Sequence, residues 1–145
     1  MQWLGTVTVA GLVALAALLW LFMRARSQDK LEELMAKRKG SSKIVCRGEY
    51  VEGLERIPVA MALTDDSMYY ENEDLQASFD LSHVEEVEYD SDLATGHPLE
   101  HGRRALRLRS HGRTFEFIFQ PAACSQWELA LPARRLGQTA ARVAS

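Results

Sequence analysis

Twenty-one consecutive residues, Trp3 to Met23, carry no charge, and the run stops on Arg24-Ala25-Arg26. As a helix rising about 1.5 Å per residue this stretch is about 31 Å long, enough to cross a hydrocarbon core of about 30 Å. Residues 1–25 are therefore predicted to be a membrane anchor, and everything after them has to fold beside a bilayer. The competing reading is a cleavable secretory leader, which needs a basic start, a shorter apolar core and small residues at the cut. Met1-Gln2 has no charged side chain, and the run closes on Met23-Arg24-Ala25-Arg26-Ser27, so the anchor reading is favoured.

No Lys or Arg precedes the span, whereas Arg24, Arg26, Lys30, Lys37, Arg38, Lys39 and Lys43 follow it. The positive-inside bias then predicts an external N-terminus and a cytoplasmic C-terminal portion, on the cell (inner or plasma) membrane. Trp3 and Trp20 fall near the two ends of the span, where indoles prefer the headgroup region. Gly5 and Gly11 are six apart rather than four, so the close-packing dimer signature is missing.

The overall charge of −3 conceals a division. Residues 24–43 hold seven bases against Asp29, Glu32 and Glu33, and then fifteen acids and one base, Arg56, fill the stretch from Glu49 to Glu100. A basic segment next to the bilayer suits anionic headgroups. The acidic body should be repelled by nucleic acid, and no nucleic-acid partner is expected. Cys46 and Cys124 are the two cysteines of the chain; in a reducing compartment they read as small buried hydrophobes rather than as a disulfide.

Residues 26–42 read as a basic juxtamembrane helix and linker. Ser27 to Lys39 contains good helix formers without Gly or Pro, and Leu31, Leu34 and Met35 form a short apolar stripe. That stripe is narrow, which favours a solvated stalk over a docking helix. Gly40-Ser41-Ser42 breaks the helix, and one domain of about a hundred residues follows, enough for a single core. Within it, 43–51 places Ile44, Cys46, Gly48 and Tyr50 on one face of a strand. Ile57–Thr64 and Ser67–Glu71 flank a two-residue Asp65-Asp66 turn, which sets Leu63 opposite Met68 and Met61 opposite Tyr70. Leu75, Ala77, Phe79 and Leu81 alternate, as do Val87 and Tyr89 among acids. With His111-Gly112 as the next turn, Leu108 faces Phe115 and Leu106 faces Phe117 on the core side, while Arg107 meets Glu116 and Arg109 meets Thr114 on the outer side. Pro121 then opens a helix that ends before Pro132 and carries Cys124, Trp127 and Leu131 on one face, so Trp127 should be buried.

Seven short antiparallel strands, the hairpin LTDDSMYY (Leu63 to Tyr70) and one closing helix with a tryptophan resemble the pleckstrin-homology fold, and that hairpin is similar to GRAM-like members. The resemblance spans about residues 43–135 and implies an α+β, mainly β domain: a bent antiparallel sheet or partly open barrel capped by one C-terminal helix. It further implies a binding module, some members of which hold inositol lipids through basic residues on the first two strands and their loop. Here that loop, Val51 to Arg56, has Glu52 and Glu55 against Arg56. Lys43, Arg47 and Arg56 are the residues placed to meet a phosphate, with the local acids opposing it.

No catalytic motif is present. His97 and His101 lie in a Gly/Pro-containing loop rather than on one side of a helix, and neither a metal nor any other cofactor is expected. The function expected is a non-catalytic module that presents its domain to a protein partner at the cytoplasmic membrane surface. Its alternatives are an accessory subunit of a larger membrane complex and an anionic-lipid-binding domain. Candidate anion or partner contacts are Lys43, Arg47, Arg56, Arg103, Arg104, Arg107 and Arg109. The long loop 91–104 is a candidate variable surface, and 136–145 is expected to be a flexible tail.

Overall fold

The computed structural model describes residues 2–135, with side chains from residue 5 onward. The Trp3 indole and the expected tail 136–145 lie outside the described residues. Helix α1 (Gln2–Lys39) is followed by β1 (Ile44–Glu52), β2 (Glu55–Leu63), β3 (Ser67–Glu71), β4 (Gln76–Asp80), a 3-10 turn (Leu81–His83), β5 (Val84–Asp90), β6 (Arg104–Ser110), β7 (Arg113–Phe119) and α2 (Pro121–Ala130). The architecture is α+β, mainly β, as expected. Every strand pairing is antiparallel, in the order β4-β3-β2-β1-β7-β6-β5.

That order forces the sheet to curl. Strands β4 and β5 form its two edges, and a flat sheet of seven strands at about 4.8 Å spacing would separate them by about 29 Å. The chain from Asp80 to Val84 reaches at most about 15 Å. The curl closes the inner face around one core in which Phe79 of β4 meets Phe115 of β7 at 4.6 Å between ring centroids, and Tyr70 meets Phe117 at 5.0 Å. The two hairpin registers read from the sequence are the observed ones: Leu63↔Met68 and Met61↔Tyr70, then Leu108↔Phe115 and Leu106↔Phe117. His111 and Gly112 both take positive φ (51° and 73°), the requirement of a two-residue turn that matches strand twist.

Helix α2 plugs the open barrel. Trp127 has no exposed surface, stacks on Phe119 at 5.1 Å, and donates its indole N–H to Cys46 Sγ at 3.2 Å. After the helix the chain returns along β5: Val87 and Arg134 exchange both backbone hydrogen bonds at 2.9 Å, which covers that sheet edge. Gly48, on the inner face of β1, is required by packing, since a Cβ there would lie 2.4 Å from Met61 Sδ and 2.9 Å from the Ile118 carbonyl oxygen.

Two segments cover the outer face. The loop between β5 and β6, expected as a variable surface, lays Leu93 against Ala105 and Ile118, with Val51 and Leu99 alongside. The other segment is α1 itself, which runs without a break from the apolar stretch to Lys39. Its stripe is not a solvated stalk: Leu31 and Leu34 are 5 % and 7 % exposed, packed with Met35 against Ala60 of β2. Burying each leucine is worth about 1.5–3 kcal/mol. Arg38 then makes a two-pronged contact with buried Glu71 (2.6 and 3.2 Å) and lies 3.8 Å over the Tyr69 ring.

Replacing Trp127 by Ala should destabilise the domain by about 3–5 kcal/mol, because it empties a fully buried indole site against Phe119 and Cys46. Chemical denaturation should show the unfolding free energy lowered by that amount; an unchanged midpoint and slope would mean the core lies elsewhere.

Candidate functional site

The stretch of α1 just after its apolar part meets the folded domain at a cleft of about 570 Å³ on the outer face of the sheet. One wall is the first turns of α1 after the uncharged run, with Arg24, Gln28 and Leu31; the other is β1, β2 and the approach to β6, with Arg47, Pro58 and Arg103. Odd-numbered residues of β1 point outward because even-numbered Ile44, Cys46 and Tyr50 belong to the core, and this parity brings Arg47 and Glu49 to the cleft. Pro58 is tolerated in a central strand because β3 pairs with β2 only from Ala60 onward.

Three guanidinium groups therefore line a space with one carboxylate. Arg47 donates to Gln28 Oε1 (2.7 Å) and Glu32 Oε1 (2.9 Å), which ties β1 to the helix. Arg103 donates through Nη2 to Glu49 (2.6 Å), while its Nε is buried without an acceptor among the described residues. Arg24 is held over the Trp20 ring at 5.3 Å. Arg26, the other base at the end of the span, lies on another side of α1, grouped with Asp29, Glu33 and Glu73.

The remaining expected anion contacts do not gather into one patch. Lys43 pairs with Asp65 at 2.6 Å. Arg56 is registered against Val51, at the far end of the β1–β2 hairpin from Lys43, and makes no ion pair among the described residues. The expected loop Val51–Arg56 is in fact a tight turn, since the strands stay paired out to Glu52↔Glu55 around Gly53 and Leu54. Arg104 approaches Glu128 of α2 (3.7 Å) and Arg109 approaches Glu85 (3.6 Å).

Arg107 meets Glu116 across the hairpin as expected, and its side chain, 14 % exposed, sits among three carboxylates, Asp90, Glu116 (3.1 Å) and Glu88 (3.4 Å). It also donates to the Asp92 carbonyl at 3.0 Å, while the Ala94 amide donates to Glu116 at 2.9 Å. This network pins the loop over the sheet. Burial disfavours the Arg107 charge, but hydrogen bonds to Asp90, Glu88 and Glu116 outweigh it and its pKa is raised. The Arg107 hydrogen bond, helped by the Asp92 amide, holds the Asp90 carboxyl below the usual carboxylate range.

Burial pushes the thiols of Cys46 and Cys124 up to about 11, so neither is a nucleophile at neutral pH. His97 is hydrogen-bonded to Thr95 at 3.0 Å, and His101 occupies a turn with φ 59°. Among the described residues no group of three or more His, Cys, Asp or Glu side chains is placed to hold a metal ion. His83 belongs to the 3-10 turn and its ring lies 4.9 Å from that of His111.

Gln28, Pro58 and Ile118 were not singled out as site residues. The signal for them was the uninterrupted apolar run Val59–Leu63, which marks a strand buried on both faces and so announces a covering element. No protein-family model, curated protein or solved structure matches the chain.

Because the Asp90 pKa is lowered on folding, its contribution to stability is present above the ordinary carboxylate pKa of about 4 and is lost as pH falls through the lower folded value. Asp90→Asn should therefore reduce thermal stability at pH 7 while narrowing the difference between pH 7 and pH 3. Parallel losses at both pH values would show that Arg107 does not act on Asp90 electrostatically.

Proposed function

We propose that this chain is a single-pass, non-catalytic binding module: a pleckstrin-homology-like, GRAM-like domain anchored at the cytoplasmic face of the cell membrane for contact with another protein. The observation that carries this reading is the continuity of α1. One helix contains an apolar stretch of mean hydropathy 2.3 with none of its residues buried, and its last three turns, from Gln28 to Arg38, are packed on the sheet. Val7, Leu12, Val13, Leu15, Leu18 and Phe22 are more than half exposed, and a helix that is apolar all round and not covered by its own chain suits lipid. The bases after the span support the cytoplasmic orientation.

The pleckstrin-like assignment is supported by the strand order, the curl that lets Phe79 of β4 meet Phe115 of β7, and the helix that plugs the barrel with Trp127. Of the surfaces available for a partner, the arginine hairpin is spent on internal carboxylates and the β5 edge is covered by Arg134. The outer edge of β4 pairs with nothing among the described residues, and it can accept an added strand.

An epitope placed after Ser145 should stay with carbonate-washed membranes, survive protease added to intact cells, and be digested in inverted vesicles. Recovery of a leader-trimmed chain in the medium, or digestion from outside, would overturn the reading. Removal of residues 43–145 distinguishes it from an accessory-subunit role, in which a stoichiometric complex would persist through α1 alone.

A further inference from the structure

Resting on the anchored reading, the geometry points to a phosphate-bearing ligand, the headgroup of an anionic glycerophospholipid, held in the cleft between α1 and the outer face of β1 and β2. The cleft begins at Arg24, the first residue beyond the uncharged run, so its mouth opens at headgroup level. Arg24, Arg47 and Arg103 face it with Glu49 as the one acid of its lining. Arg47 shares its charge with Glu32 at the rim.

The walls between these charges, Leu31, Pro58 and Ile118, are apolar, which matches the glycerol and first acyl carbons of a lipid better than a fully hydrated ion. Arg103 donates to Glu49 through Nη2, and its side chain keeps 22 % of its surface exposed. A phosphate oxygen would compete with Glu49 for the guanidinium. This site is formed by the docked helix and is separate from the β1–β2 turn.

The test uses the full chain in phosphatidylcholine nanodiscs, with and without phosphatidylglycerol, reading the anionic lipid retained after transfer to detergent by native mass spectrometry. Insertion into neutral discs is scored separately; failure there would overturn the anchored reading on which the site rests. One phosphatidylglycerol should stay bound to the unaltered chain. Arg103→Gln should weaken retention by about tenfold, the scale of one charge-assisted contact, and Glu49→Gln should strengthen it by about threefold by freeing Arg103. Arg26→Gln should leave it within about twofold, because that base only adds to the diffuse surface field. The paired variants separate binding from folding, since both break the Arg103–Glu49 ion pair yet are expected to move retention in opposite directions. Equal losses for Arg26→Gln and Arg103→Gln, or unchanged retention in Arg103→Gln, would overturn the cleft site. Inorganic phosphate that displaced the lipid completely at millimolar concentration would overturn the lipid assignment in favour of a soluble phosphate compound.

Discussion

The contact between the last turns of α1 and the outer face of β2 sets the geometry of the whole molecule. Leu31 and Leu34 lie over Ala60, whose small side chain lets the helix approach, and the bidentate Arg38–Glu71 pair closes one end of the contact. Glu71 is 8 % exposed at its side chain, so its partner is required: a buried carboxylate without its cation costs several kcal/mol. At the other end Arg47 reaches back to Gln28 and Glu32. Apolar burial provides the adhesion, and two arginines, one from each side of the contact, fix its register.

This docking changes what the basic residues are for. A juxtamembrane run of positive charge suggests a soft, sliding attraction to lipid, but here Arg38 is committed to holding the domain in place and Lys43 is paired with Asp65. The same holds on the outer face of the barrel, where Arg107 bonds three carboxylates and the Asp92 carbonyl and so secures loop 91–103 across β6 and β7. Each side of the central sheet is thus covered: the core and α2 inside, and α1 and the loop outside. Arg24 and Arg103, two of the three arginines that line the cleft, lie beside the anchor.

Much of the fold was legible because it rests on local rules. Strand alternation gave the inner faces, two-residue turns gave both hairpin registers, and Pro121 with the spacing of Cys124 and Trp127 gave α2. The outer face was harder to read. A three-residue stripe on α1 looks too narrow to dock, and its sufficiency becomes clear only with Ala60 and the Arg38–Glu71 pair, 33 residues apart in sequence, placed beside it. The cleft was legible only in pieces: Arg47 and Arg103 were named as candidates, yet nothing local places them on one surface with Arg24. Conversely, Lys43 and Arg56 look close in sequence, but nine-residue strands carry them to opposite ends of a hairpin.

Distance measurement between spin labels at Lys30 on α1 and Ser78 on β4, made on the full chain in nanodiscs, tests the docked helix most directly. A single narrow distribution is predicted, because one continuous helix is fixed to the sheet at both ends of the contact. A broad distribution spread over tens of ångströms, as a stalk moving free of the domain would give, would contradict the account.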